Sequence, residues 1–180
     1  SDKFHADISI DEVQRVDYFD FNGSGYDRGH MCPAGDNKNS EEAMLESFAM
    51  TNICPQNHSL NMDLWNDLEK QCRSWVRKYG TLYICCGPIF DKKTSKTIGR
   101  RKKVKIAVPD RFFKVILTLE DTPKAVGFIY PNRSCDGKFQ DYAMSVDEVE
   151  KQVNMDFFYQ LDEELEQRVE KAFDLSAWGI

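Results

Sequence analysis

Arg28 and His30 stand one residue apart in the stretch DRGHMCPAGDNK, Asp27 to Lys38. Together they hold two parts that phosphodiester cleavage needs. The guanidinium is a fixed cationic fork for phosphate, and the imidazole is a base that is largely neutral near pH 7. The reaction demands charge stabilisation at phosphorus and removal of a proton from water. An RGH triplet alone says little. Its weight comes from a second block, TNICPQNHSLNMDLWNDLEKQCR, Thr51 to Arg73, which adds an amide, a carboxylate and another arginine.

A helical pattern from Asn61 to Tyr79 puts Asn61, Trp65, Glu69 and Arg73 on one i, i+4 ridge. At about 1.5 Å rise per residue, Asn61 and Glu69 stand about 12 Å apart along the axis. They cannot both touch one ion. Mg²⁺ suits such a pair, because it sheds water reluctantly and takes few protein ligands. Asn61 then reads as a direct oxygen ligand, Glu69 as an acceptor acting through water, and Arg73 as a phosphate contact. Each residue also has a plainer reading. Asn61 can cap its helix, Glu69 and Arg73 can form a surface ion pair, and His30 can be a satisfied core histidine. His5 and His58 read as structural or surface residues.

The elements that must position these groups follow from local signals. Asn22-Gly23-Ser24-Gly25 closes an irregular start, and DRGH falls on a strand edge or loop. Ser40 caps a short helix that runs to about Phe48. Phe48 to Cys54 reads as a short strand stopped by Pro55. Leu64, Leu68, Cys72, Trp75 and Val76 form the apolar stripe of the next helix, which ends near Gly80. Leu82 to Cys86 reads as a strand ended by Gly87-Pro88. Val104–Val108, Phe112–Leu119 and Ala125–Tyr130 read as three more strands. Ser145 to Glu148 is a capping box before a helix, and a last helix covers Asp162 to Phe173. The interleaving predicts an α+β fold, a single domain with a largely antiparallel central sheet flanked by helices.

The formal charge of −6 argues at first against a polyanionic substrate, but its distribution is uneven. Lys92, Lys93, Lys96, Arg100, Arg101, Lys102, Lys103 and Lys105 face the single acid Asp91 between residues 91 and 105. Arg100, Arg101 and Lys102 are candidate substrate contacts in that run, with a solvated hairpin as the alternative. Acids dominate from Ser145 to Asp174. No apolar run approaches a membrane span. The six cysteines contain no C-x₂-C pair, so a zinc finger has no support.

Taken in register, the two blocks resemble the DNA/RNA non-specific endonucleases of the ββα-metal class, the group that includes secreted bacterial nucleases and mitochondrial endonuclease G. The resemblance runs through Asp27 to His30, Thr51-Asn52, Pro55-Gln56, Leu60-Asn61, Trp65, Leu68-Glu69, Gly87-Pro88-Ile89, Val108-Pro109 and the tail from Ser145 to Phe158. It implies a ββα-metal core at about residues 20–80 within one domain over 1–180. It implies a Mg²⁺-dependent, sugar-non-specific endonuclease of DNA and RNA, with Mn²⁺ as a substitute metal. His30 is then the general base, and Asn61 is the only protein ligand of the metal. Glu69 orients the metal's waters, and Arg28 and Arg73 neutralise phosphate charge. Asp27 and Asn52 fix loops. The resemblance further leads us to expect a bacterial protein working outside the cytoplasm, its leader absent from this chain, and leaves a homodimer open.

Cys32 and Cys54 depart from the family pattern, and a bridge between them near the site is the expectation for that pair. Zinc bound by Cys32, Cys54 and His58 is a competing idea without supporting spacing. Two other functions stay open: a phosphodiesterase for small nucleotides or oligonucleotides, and an inert nucleic-acid-binding domain.

Overall fold

The computed structural model describes residues 3–91, 96–101 and 104–180. In chain order its first elements are β1 (Asp27–His30), α1 (Glu41–Glu46), β2 (Ile53–Gln56), α2 (His58–Met62), α3 (Leu64–Tyr79) and β3 (Tyr83–Ile89). There follow β4 (Thr97–Ile98), β5 (Ile106–Ala107), β6 (Arg111–Thr118), β7 (Lys124–Pro131), β8 (Ala143–Met144), α4 (Val146–Val153) and α5 (Glu163–Lys171). Contacts divide the chain into two compact units whose segments alternate in sequence. One comprises Ser1–Asp63, Phe90–Asp110 and Asn132–Ser134; the other comprises Leu64–Ile89, Arg111–Pro131 and Cys135–Ile180. Both mix helices with antiparallel strands, as the α+β expectation has it. No described helix is long and apolar enough to cross a membrane.

In the first unit β1 and β2 form a ribbon with Asp27 opposite Gln56 and His30 opposite Ile53, and α2 follows β2 after one residue. A Cβ at Gly29 would collide with the buried side chain of Gln56, so the glycine of DRGH is the residue that lets the ribbon close. Pro55 lies inside β2 rather than stopping it. A two-stranded ribbon leaves one side of each strand unpaired, and a proline without its N–H is tolerated there. Its carbonyl accepts from Asn132 Nδ2 at 3.0 Å. Phe21, Met50 and Ile53 form a small core with Phe4, Val16, Ile98 and Ile106.

The second unit holds a four-stranded sheet in the order β3-β6-β7-β8. Central β6 is buried on both faces, which is why its sequence from Phe112 to Leu117 is apolar except for Lys114. Phe113, Val115 and Leu117 pack with Val146 and Val149 of α4 and Val169 of α5. The alternate residues Phe112 and Lys114 meet Trp65 of α3: the two rings lie 5.7 Å apart, and Lys114 Nζ sits 4.3 Å from the indole centroid. Gly87-Pro88 continues β3 instead of ending it, because β3 is an edge strand where proline is permitted. Ser145 caps α4 as expected. Its hydroxyl accepts from Glu148 N–H, while the Glu148 carboxylate accepts from Ser145 N–H.

One expectation about the site helix needs correction. The helix expected from Asn61 to Tyr79 is two helices, because Asp63 leaves helical geometry at φ −102° and ψ −100°. Asn57, whose side chain accepts from Leu60 N–H, starts α2 four residues before Asn61. The ridge through Asn61, Trp65, Glu69 and Arg73 is therefore not continuous, and its Trp65 is a core residue, 1% exposed.

Candidate active site

With Asn57 as the cap, Asn61 is free of capping duty and turns toward β1, where its Nδ2 donates to Asp27 Oδ2 at 2.9 Å. A carboxylate only accepts, so this bond decides which end of the amide faces Asp27. The carbonyl end, Oδ1, is left as the oxygen available to a hard cation. Asp27 also holds His58, whose Nδ1 lies 2.9 Å from Oδ2 and 3.1 Å from Oδ1. The first residue of DRGH thus joins three side chains from β1 and α2. Sequence reading had given Asp27 only a loop-fixing part, and the signal it lacked was a partner 34 residues away.

His30, at the other end of β1, has a different setting. Its ring meets Phe48 edge-on at 4.8 Å between centroids and Phe4 at 5.5 Å. Its Nε2 is buried and has no hydrogen-bond partner among the described residues. Burial lowers its pKa below the ordinary histidine value, so the ring is neutral near pH 7. A neutral imidazole with an unengaged nitrogen is the state a general base requires. Phe4 is brought there by a bridge between His5 and Ala49, in which His5 N–H donates to the Phe48 carbonyl at 3.3 Å and Met50 N–H to the His5 carbonyl at 2.9 Å. Neither aromatic partner was foreseen. The chain separates Phe4 from His30 by 26 positions, and nothing in its local pattern marks it.

Arg28 is partly committed. Its Nε donates to the Tyr18 carbonyl at 3.0 Å and one terminal nitrogen to Asn22 Oδ1 at 2.9 Å, with Phe4 and Tyr18 rings 5.3 and 5.8 Å from the guanidinium carbon. A guanidinium has five N–H donors, so others remain for a phosphate. Asn52 brackets Cys32: its Oδ1 accepts from Cys32 N–H at 2.9 Å and its Nδ2 donates to the Cys32 carbonyl at 2.8 Å. The expected Cys32–Cys54 bridge is not formed: Cys32 is exposed and lies 3.3 Å from Asn37 Nδ2, and Cys54 sits across the ribbon from Gly29.

The structure therefore brings Asp27, His58 and Asn61 into direct contact. It places Arg28 and His30 on the same four-residue strand, with His30 about 10 Å along it from Asp27. Glu69 and Arg73 lie one helical turn apart on α3, both half-buried, in the second unit.

The basic run is only partly visible, and Lys102 lies outside the described residues. Arg100 is exposed. Arg101 is engaged within the fold: its Nε donates to Asp20 Oδ1 at 2.9 Å and a terminal nitrogen to the Arg15 carbonyl at 2.8 Å. The Asp20 side chain is 0% exposed, and its pKa is held down against desolvation by the bonds from Arg101 and Asp17 N–H. Arg101→Ala would leave that carboxylate buried and unpaired. Because Arg101 is itself 37% exposed, the expected loss is at the low end for such pairs, about 3 kcal/mol, read by urea unfolding. A loss below about 1 kcal/mol, the level of exposed pairs, would contradict the assignment.

This fold and constellation belong to a recognised class. Residues 1–164 match the model of the DNA/RNA non-specific endonuclease family, and the chain belongs to that family. It is 36% identical over 173 residues to the mitochondrial nuclease EXOG of Xenopus laevis, covering 89% of this chain and 48% of that protein. It is 36% identical over 171 residues to nuclease C1 of Cunninghamella echinulata var. echinulata, covering 89% of this chain and 68% of that protein. A solved complex of EndoG with EndoGI, concerned with EndoG inhibition, superposes with a TM-score of 0.79 at 29% identity, over 90% of this chain and 71% of that one. The chain spans about half the length of the EXOG relatives. The expected bacterial, secreted or periplasmic setting is corrected by these matches. The EXOG and endonuclease G relatives, and a nuclease of Schizosaccharomyces pombe, are mitochondrial proteins.

Proposed function

We propose that this chain hydrolyses internal phosphodiester bonds of DNA and RNA with the help of one divalent cation, Mg²⁺ by preference and Mn²⁺ as a substitute. The observation that carries the reading is the Asn61 amide, whose Nδ2 is held by Asp27 so that its carbonyl oxygen is left for a cation, with a neutral His30 on the strand that Asp27 begins. Asn61 Oδ1 fits a Mg²⁺ that keeps its remaining positions for water and phosphate oxygens. Once bound, such a cation supplies Lewis acidity at the phosphate and stabilises the leaving oxygen.

The chain's own residues do the rest. His30, neutral near pH 7, takes a proton from the attacking water. Arg28 sets its remaining N–H groups against developing phosphate charge. Asp27 holds the amide and His58 in place. The roles that family resemblance implies for Glu69 and Arg73, acceptor for the cation's waters and phosphate contact, stay within the proposal. Exposed Arg100 is a candidate backbone contact. A site that addresses the phosphate and leaves base edges untouched tolerates either sugar and any sequence.

Asp27→Ala removes the group that orients the amide and holds His58, so it should cost about 10- to 100-fold in rate at fixed Mg²⁺ with the far-ultraviolet dichroism unchanged. A rate within threefold of wild type would return Asp27 to a loop-fixing part. The function itself is tested by a substrate panel: supercoiled plasmid, total RNA and a small aryl phosphodiester, each in Mg²⁺. Cleavage of both nucleic acids supports the reading. Turnover of the small diester alone, or of nothing, overturns it.

A further inference from the structure

Asp147 and Glu150 of α4 and Glu170 of α5 each bring a carboxylate oxygen to within 4.8 Å of the other two. Clustered acids alone are ordinary surface chemistry. This cluster differs because Glu170 is only 5% exposed, and its Oε1 is buried with no hydrogen-bond partner among the described residues. A buried carboxylate without a partner is costly to the fold, and a cation in contact removes that cost. We propose that Asp147, Glu150 and Glu170 form a Ca²⁺ site that ties α4 to α5, built from none of the residues around Asn61.

The surroundings fit a cation. Burial, and then the charges of Glu150, Glu166, Asp147 and Asp156, push the Glu170 carboxyl up to about 8. The side chains acting on it are carboxylates. Glu150 is held in place by Phe157, whose N–H donates to its Oε1 at 2.7 Å. The capping box on Ser145 fixes the first turn of α4 and with it Asp147, and Glu150 follows at i+3 on the same face. Val169, next to Glu170, packs with Val146 and Val149, so the two helices meet at the cluster through their apolar faces.

Ligand type and span choose the ion. A set made only of carboxylate oxygens selects a hard cation over zinc or copper. Oxygens on opposite sides of Ca²⁺ stand up to about 5 Å apart, and on Mg²⁺ about 4.2 Å. The cluster lies within 4.8 Å, inside the span of Ca²⁺, whose flexible coordination suits an all-carboxylate set better than Mg²⁺, which keeps most of its waters.

Thermal unfolding tests this with CaCl₂ alone as the probe, in wild type, Asn61→Ala and Glu170→Gln, against an EDTA control. At a hundredfold excess over its dissociation constant, Ca²⁺ should raise Tm by about 5–10 °C in wild type and in Asn61→Ala alike. Glu170→Gln should lose that rise, while its Tm in EDTA equals or exceeds that of wild type, because the amide has no ionisable group for burial and the neighbouring carboxylates to disfavour. A rise absent from Asn61→Ala, or undiminished in Glu170→Gln, overturns the site. Should Glu170→Gln fail to fold, Asp147→Asn serves for the same reading, with loss of the Ca²⁺ rise expected and its persistence contradictory. Unfolding is the readout, so the outcome does not depend on nuclease activity.

Discussion

His30→Ala is expected to lose about 10²- to 10⁴-fold of the single-turnover cleavage rate while folding normally, the range a positioned general base supplies. The side chain is small, half-buried, and bonded to no protein group through its buried nitrogen, so its removal breaks no hydrogen bond that holds the ribbon. Activity within tenfold of wild type would remove His30 from the chemistry. The pH profile carries an independent sign. Burial lowers the imidazole pKa, so the base form persists to lower pH, and the acid limb of kcat/KM should fall below the ordinary histidine value of about 6.5. By the same linkage, a histidine whose folded pKa is depressed takes up a proton more readily when unfolded. Its contribution to stability is therefore lost as pH falls below about 6.5. Phe4→Ala opens the ring to water and should move the activity limb upward. An unmoved limb would mean that Phe4 does not set the pKa.

Asn61→Ala is the second large effect, with a loss of at least about 10²-fold in rate at fixed Mg²⁺, above the range expected for the group that merely orients it. The loss should be partly recovered at high Mg²⁺, because the substitution weakens a hold on the cation and leaves His30 and Arg28 in place. Asp27 keeps His58 as its partner, so the carboxylate is not left alone. Initial rates across a Mg²⁺ titration check this. A curve with the wild-type midpoint and only a lower plateau would deny Asn61 the part of ligand.

What the sequence made readable was whatever is written locally. The Ser145–Glu148 box, the Ser40 cap and the stripe of α3 each lie within a few residues, and each stands where expected except Val76 of the stripe, which is exposed. The motif residues of DRGH and of Asn61 were found by type and order. Their partners were not. Asp20 meets Arg101 across 81 positions, and Phe4 meets His30 through a bridge that no periodicity announces. Proline misled twice, at Pro55 and Pro88, because both strands carry an unpaired side that sequence cannot show. Asp63 hid the break between α2 and α3 because apolar spacing runs on through it. Asn57 is the cap that moves Asn61 from a helix start to its interior.

The most direct measurement is nicking of supercoiled plasmid by the wild-type chain in Mg²⁺, with excess EDTA added midway and excess Mg²⁺ restored afterwards. Nicking should stop on chelation and resume on restoration. Nicking that continues unchanged through the EDTA interval would contradict a cation held at Asn61 and with it the reaction assigned to His30.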